Sequence, residues 1–312
     1  MKSAIPSVNL NHYIKGSRNE QLSFIDAVGS AFSEIGFVAL KGHFLDDILT
    51  KHLYTSVKDF FALPEAIKLQ YEIEGMAGQR GYTSFGRETA KGSKTADLKE
   101  FWHFGQYHDP DGIYPPNCSV SELDSFNNYG ELAFKALENT GLHLLRAIAE
   151  HLDLPANYFD QWVIGGNSIL RPIHYPPVKP EDRKAIRAAA HGDINLITLL
   201  MGAHGKGLQV QRLDGIYVDA IAEPDELMIN VGDMLSRLTN NRLKSTIHRV
   251  VNPDEDIVNE SRYSIPFFMH PKREMPLNCL ESCLSDHSPK QFEDCTAGEY
   301  LDERLRELGL LK

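Results

Sequence analysis

His191-Gly192-Asp193 and His248 are the residues of this chain whose types suit chemistry at a metal. Two imidazoles and one carboxylate make up the set that holds non-haem Fe(II) on one face, leaving the other positions for oxygen and a bidentate ligand. The triplet stands just before the β-rich run Asn195 to Met201, and His248 lies inside a later run. On a strand, residues i and i+2 project to the same face, so His191 and Asp193 can converge on one ion while Gly192 points away. His248 must then arrive from a neighbouring strand. With 13 His in the chain, an H-x-D triplet is expected about once by chance, and the pair alone also reads as a turn and cap at a strand start. His151-Leu152-Asp153 is such a second copy. It falls at the end of a predicted helix, where i and i+2 diverge by roughly 200°.

A second constellation follows downstream. Arg262-Tyr263-Ser264 opens the last β run, and a period of two puts Arg262 and Ser264 on one face. A guanidinium beside a hydroxyl makes a charge-assisted fork for a carboxylate. An arginine facing the inside of a β core needs an anion. A buried Asp or Glu would serve; so would a dicarboxylic co-substrate whose keto-acid end chelates the metal while its distal carboxylate reaches Arg262 and Ser264. Cys279, Cys283, His287 and Cys295 do not have the spacing of a structural zinc site and read as packing. Lys179 to Arg187 mixes charge signs and reads as a solvated helix or loop. His174 reads as a hydrogen-bonded core histidine.

These groups need a framework, and the hydropathy pattern describes one. Leu22, Ile25, Val28 and Phe32 recur at helical spacing, as do Ile48, Leu53, Val57 and Phe60. Gly36 to Leu40 is short and β-rich. A long amphipathic stretch runs from about Leu123 to Leu152 and stops at Asp153-Leu154-Pro155. After about Ser168 the pattern changes to short β-rich runs, 195–201, 207–213, 216–221, 226–233, 245–252 and 262–269, at the spacing of a sandwich or barrel. Asp214-Gly215 between two of them signals a hairpin. The segment from Cys295 to Lys312 reads as a last helix. With no repeat or low-complexity linker, the 312 residues form a single domain: a mostly helical region over 1–165, a β core carrying the metal site over 166–275, and a helical closing segment over 276–312.

The formal net charge of −11 repels phosphate backbones and anionic lipid, which argues against nucleic-acid and membrane partners. No apolar run approaches the ~18 to 20 residues that span a bilayer, and the first residues lack the apolar stretch of a secretory signal. Four cysteines are too few for a disulfide scaffold and fit a reducing compartment. The chain reads as cytoplasmic.

The same residues carry a resemblance. Gly36 to His43, Phe60 to Lys68, Arg80 to Glu88, Asp97 to Gly105, Ser168 to Pro177, His191 to Leu200, Ile229 to Leu235, Ser245 to Val251 and Arg262 to Phe268 occur in the order of, and are similar to, the signature segments of the isopenicillin N synthase-like family of Fe(II)- and 2-oxoglutarate-dependent oxygenases. The resemblance implies a double-stranded β-helix, or jelly roll, flanked by helices, with Fe(II), 2-oxoglutarate and O2 as cofactor and co-substrates. It implies that His191, Asp193 and His248 ligate iron, that Arg262 and Ser264 hold the distal carboxylate of 2-oxoglutarate, and that Tyr175 hydrogen-bonds this co-substrate. Ile173 stands where many members have asparagine, a departure in the part of the site that orients the co-substrate. Phe268, Tyr82 and Trp102 match positions that line the substrate pocket in family members. The gap between His248 and Arg262 is longer than usual, and the acidic stretch Pro253 to Asp256 reads as an exposed hairpin loop that accounts for it.

The implied reaction couples oxidative decarboxylation of 2-oxoglutarate to hydroxylation, desaturation or cyclisation of a small-molecule substrate. Alternatives are an oxygen-only or ascorbate-using oxidase of the same family, a zinc hydrolase built on the same three ligands, and a binding protein without turnover. The hydrolase leaves Arg262 and Ser264 without a purpose. Substrate identity and oligomeric state are not written in the sequence.

Overall fold

The computed structural model describes residues 5–73, 79–86, 99–177, 188–202, 207–251 and 261–307. The run Lys179 to Arg187 and the stretch Pro253 to Asp256 lie outside them. In chain order the strands are Ser7–Asn9 (β1), Phe37–Lys41 (β2), Gly81–Thr83 (β3), Glu100–His103 (β4), Ile169–Leu170 (β5), Ile173–Tyr175 (β6), Ala188–His191 (β7), Ile197–Met201 (β8), Leu208–Gln211 (β9), Tyr217–Asp219 (β10), Leu227–Val231 (β11), His248–Val250 (β12) and Arg262–Met269 (β13). The helices are Leu10–Lys15 (α1), Arg18–Glu34 (α2), Asp47–Phe61 (α3), Glu65–Lys68 (α4), Asp124–His151 (α5), Asp160–Val163 (α6), Asp233–Leu238 (α7) and Ala297–Glu307 (α8).

Local chemistry sets the long helices. Ser17 and Glu20 form a capping box at the start of α2, and the Asp46 carboxylate accepts the Leu49 N–H at 2.7 Å to start α3. Along α5, Phe134, Leu137, Leu144, Leu145 and Ile148 are buried, the stripe that an amphipathic helix presents to a core. Asp214-Gly215 turns between β9 and β10, which pair antiparallel, and Gly215 takes the positive φ of 82° that this turn requires.

The strands make two sheets. The larger runs β1-β2-β11-β8-β13-β6-β4-β3, with β5 on β13, and the smaller runs β10-β9-β12-β7. Apart from the parallel pair β1 and β2, the pairings are antiparallel. The outcome is a mainly β jelly-roll core flanked by helices. One face of the large sheet packs on the helices. Phe267 of β13 meets Phe134 of α5 edge-on at 5.1 Å, and a Cβ at Gly141 would overlap the Met269 sulfur, so glycine lets α5 approach the sheet. A continuous cluster of buried apolar residues extends from Leu10 to Leu301.

Because paired residues share a face, register fixes which side chains look toward the small sheet. This inner face carries Phe37, Asn230, Thr198 and Phe268 in one row across β2, β11, β8 and β13. Further along are Ser264 opposite Ile173, Arg262 opposite Tyr175 and, beyond Ile173, Phe101. Phe101, Ile173 and Tyr175 form a small buried cluster of their own.

On the outer face, Glu100 is buried and accepts Lys68 Nζ at 2.7 Å, the Tyr82 hydroxyl, and His174 Nδ1 at 2.7 Å. Burial opposes ionisation of Glu100, yet the hydrogen bonds from His174, Lys68 and Tyr82 hold its pKa below the ordinary value. Glu100→Ala strands the buried Lys68 ammonium and is expected to cost about 3–5 kcal/mol, measured as a shift in the urea unfolding curve. A carboxylate with a lowered pKa contributes stability that is present at neutral pH and lost as pH falls through its folded-state value, so the difference between wild type and variant is expected to narrow in acid.

Candidate metal centre

His191 closes β7 and His248 opens β12, and the two are direct partners across the small sheet, with ring centroids 4.5 Å apart. Asp193 lies beyond the end of β7, in the connection to β8. The expectation that His191 and Asp193 share one strand is therefore corrected: the chain leaves the small sheet after His191, and Asp193 is aimed by other contacts. Its carbonyl accepts the Asp233 N–H of α7 at 2.7 Å. Its Oδ2 accepts Thr198 Oγ1 at 2.6 Å and Asn230 Nδ2 at 2.8 Å, both from the inner face of the large sheet.

That leaves Oδ1 turned to the two imidazoles, 3.9 Å from His191 Nε2 and 3.8 Å from His248 Nε2. Each histidine also has Nδ1 against a backbone carbonyl, Ala189 at 2.7 Å and Thr246 at 3.2 Å. A proton on Nδ1 satisfies that carbonyl and leaves the Nε2 lone pair for a metal, the usual outer arrangement of a metal-bound histidine. Burial raises the pKa of Asp193, but His248 and His191 beside it, with Thr198 and Asn230 hydrogen-bonded to it, bring it below the ordinary carboxylate value. Asp193 and His248 are buried, whereas the His191 side chain is 47% exposed, so the centre opens to solvent on the His191 side. Among the described residues this is the one group of three His, Cys, Asp or Glu ligand atoms within 4.8 Å of one another. Two nitrogens, one anionic oxygen and an open side fit an Fe(II) ion.

Arg262 and Ser264 lie on the same inner face, with Tyr175 opposite Arg262 and its ring 5.8 Å from the guanidinium carbon. Arg262 Nη1 is buried with no hydrogen-bond partner. A buried cationic donor in that state fits an anionic ligand such as the distal carboxylate of 2-oxoglutarate. Ile173, at the position where asparagine is usual, is buried against Phe101 and Tyr175 and presents only apolar surface to this end of the site.

Phe268 faces inward as expected for a pocket wall. Tyr82 and Trp102 do not. Both are fully buried on the outer face, Tyr82 bonded to Glu100 and Trp102 packed 5.0 Å from Phe60 and 5.3 Å from Phe126. Strand alternation instead turns their neighbours Phe101 and His103 inward. Also on that face, and missed from the sequence, is Arg171, whose guanidinium lies over the Phe101 and Phe268 rings at 4.6 and 5.2 Å, with Nε donating to His103 Nε2. His174 is on the outer face, stacked on Tyr263 and bonded to Glu100 and Ser261. His151 ends α5 and packs against Gly29 of α2, away from the site. Cys279 lies against the Arg237 carbonyl and Cys283 is buried in the core.

Comparison with known proteins agrees with this geometry. Residues 5–122 match the N-terminal model of non-haem dioxygenases of the kind found in morphine synthesis, and residues 166–271 match the 2OG-Fe(II) oxygenase superfamily. A proline hydroxylase of Petromyces alliaceus is 31% identical over 317 residues, spanning 96% of this chain and 98% of its own. A 2OG-Fe(II) oxygenase family protein from Caulobacter crescentus is 41% identical, with a TM-score of 0.89 over 98% of this chain and 100% of its own. A full-length Neurospora crassa protein, solved in complex with alpha-KG, is 30% identical with a TM-score of 0.85, covering 97% of this chain and 96% of its own. The chain thus belongs to the isopenicillin N synthase-like branch of the 2OG-Fe(II) oxygenase superfamily, as a dioxygenase that uses Fe(II), 2-oxoglutarate and O2 to oxidise a small molecule.

Proposed function

We propose that His191, Asp193 and His248 ligate the Fe(II), that Arg262, Ser264 and Tyr175 hold 2-oxoglutarate, and that the substrate is hydroxylated against the inner face around Phe268. Desaturation or ring closure is the outcome when a neighbouring group of the substrate intercepts the reaction. The observation that carries this reading is the division of labour at Asp193, one oxygen held by Thr198 and Asn230 and the other facing two Nε2 atoms.

Bound ferrous iron supplies one-electron chemistry, without which triplet oxygen reacts sluggishly with closed-shell organic molecules. In the net hydroxylation one oxygen atom enters succinate as 2-oxoglutarate loses CO2, and the other is inserted into a C–H bond of the substrate. The chain's own part is placement. Thr198 and Asn230 fix the carboxylate, the backbone carbonyls fix both imidazole tautomers, and Arg262 with Ser264 fixes the far end of the keto acid. Phe37, Phe101 and Phe268 keep the inner face apolar and exclude water around the reacting C–H.

A small-molecule substrate is supported by the Neurospora crassa relative, which has been solved with alpha-KG together with thymine and with 5-formyluracil. The net charge of −11 supports the absence of nucleic-acid and anionic-membrane partners, and no helix among the described residues is long and apolar enough to cross a membrane. Four free cysteines support a reducing, cytoplasmic setting. The buried cluster that joins α1 to α8 supports one folding unit over 1–312.

Anaerobic addition of Fe(II) and 2-oxoglutarate is expected to produce a weak visible charge-transfer band, and admission of air to release succinate. No band together with zinc-dependent hydrolysis would replace the oxygenase with a hydrolase. Succinate-free consumption of oxygen would favour the oxidase alternative.

A further inference from the structure

The segments that carry the three ligands meet at a carboxylate outside the ligand set. Asp233 opens α7, and its backbone N–H donates to the Asp193 carbonyl at 2.7 Å. Both oxygens of its side chain are engaged. Oδ1 accepts Ser245 Oγ at 2.6 Å, and Oδ2 accepts the Tyr300 hydroxyl of α8 at 3.2 Å. Ser245 stands three residues before His248, in the stretch whose Thr246 carbonyl faces His248 Nδ1. Gly192, between His191 and Asp193, touches the same pair: a Cβ there would lie 3.1 Å from both Asp233 Oδ1 and Ser245 Oγ. Asp233 therefore contacts the Asp193 loop and the approach to His248 at once.

Tyr300 brings the closing helix α8 into this arrangement. The helix has a fixed footing, because the Ala297 and Gly298 N–H groups donate to the Met275 and Arg273 carbonyls at 2.8 and 2.9 Å, and Leu301 is buried in the core. The Arg237 guanidinium of α7 lies 5.3 Å from the Tyr300 ring centroid. That contact sets the ring beside the helix that Asp233 begins. A hydroxyl so placed fixes the direction of the Asp233 carboxylate, and with it the side that Ser245 and Gly192 meet.

We propose that Asp233 is a positioning residue for the iron ligands and that Tyr300, through Asp233, makes α8 part of the support of the metal centre. The proposal rests on the assignment of His191, Asp193 and His248 to Fe(II) and adds what holds their segments together. Contacts outside the ligand set orient the ligands of a metal site and set its affinity. By linkage the effect runs both ways: a helix that helps to hold the ligands is itself steadied by an ion bound to them.

The test titrates the full chain with Fe(II) anaerobically at saturating 2-oxoglutarate, following the visible band, and measures amide exchange across α8 with and without the ion. Tyr300→Phe keeps the ring against Arg237 and loses only the hydroxyl. Its Fe(II) dissociation constant is expected to rise by about three- to tenfold, the worth of one net hydrogen bond, and the slowing of α8 exchange by Fe(II) to shrink. Asp233→Ala is expected to weaken iron binding by about 10- to 100-fold. Asp233→Asn, which still offers Ser245 an acceptor, is expected to fall between that variant and wild type. Asp302→Asn is the control: it removes the ion pair of α8 with Arg273, leaves the hydroxyl in place, and is expected to bind iron within about twofold of wild type. Should Asp233→Ala fail to fold, Tyr300→Phe and Asp233→Asn are scored alone. Iron affinity in Tyr300→Phe equal to wild type, a loss that Asp302→Asn matches, or α8 exchange indifferent to Fe(II) in the wild type each overturn the proposal. Wild-type enzyme that binds no Fe(II) would instead sink the ligand assignment.

Discussion

Asp193→Ala is expected to reduce succinate formation by on the order of 1000-fold or more, because on the proposed assignment it loses the one anionic ligand and with it several kcal/mol of metal-dependent transition-state stabilisation. The same change takes the shortest acceptor from two buried donors, leaving Thr198 Oγ1 with Asn195 Oδ1 at 3.3 Å and Asn230 Nδ2 with the Val231 carbonyl at 3.5 Å, so a stability loss of about 1 kcal/mol accompanies it. Fe(II) titration separates the two effects. Thr198→Ala and Asn230→Ala keep all three ligands and lose only an orienting contact, which predicts a weakening of iron affinity by about 10- to 100-fold with turnover recovered at high iron. If Asp193→Ala retained wild-type iron affinity and turnover, the ligand assignment would be wrong.

Arg262→Leu carries the second large effect. On the proposed assignment it replaces a half-buried guanidinium with an apolar side chain of smaller reach and leaves the distal carboxylate of 2-oxoglutarate with Ser264 and Tyr175. Truncating one member of a buried hydrogen-bonded charge pair costs about 2–5 kcal/mol, equivalent to roughly 30- to several thousand-fold in affinity. The half-saturating concentration of 2-oxoglutarate, measured by succinate release, is expected to rise by that factor, while iron affinity in the absence of 2-oxoglutarate is expected to stay near wild type. Arg262→Lys, which keeps the charge but not the fork, is expected to recover part of the loss. A 2-oxoglutarate dependence indifferent to Arg262 would move the co-substrate elsewhere.

The readable parts of this protein were those written in local periodicity. The run from Arg262 to Met269 is a strand over its whole length, and the long amphipathic stretch became α5 within a residue at each end. That His191, Asp193 and His248 come together was legible from residue type, although strand alternation is not what brings them together. His191 and Asp193 belong to different local structures, and their approach depends on Thr198, five residues on, and on Asn230 and Asp233, which are distant in sequence. A signal for two of these did exist: Thr198 and Asn230 are single polar residues inside the apolar runs ITLLM and LMINV, and a buried polar group in such a run needs a partner. Tyr82 and Trp102 show the opposite difficulty. A slip of one position exchanges the two faces of a strand, so matching a short segment places an aromatic near the pocket without saying which side it faces. The inward direction of Arg171 was within reach by the same rule, since it alternates with Ile173 and Tyr175 and so shares their face.

Asp193 also bears on the mechanics of the sandwich. Its Oδ1 looks to imidazoles rooted in one leaf and its Oδ2 is tethered to the opposite leaf. An ion seated there would act as a rivet through both leaves, beside the apolar cluster that Phe37 and Met228 of one leaf make with Leu208 and Val210 of the other. The cohesion of the barrel at this end is consequently tied to iron supply: scarcity of the metal would loosen the same seam that catalysis depends on, and ferrous loading would tighten it in proportion to the logarithm of the free ion concentration once that exceeds the dissociation constant.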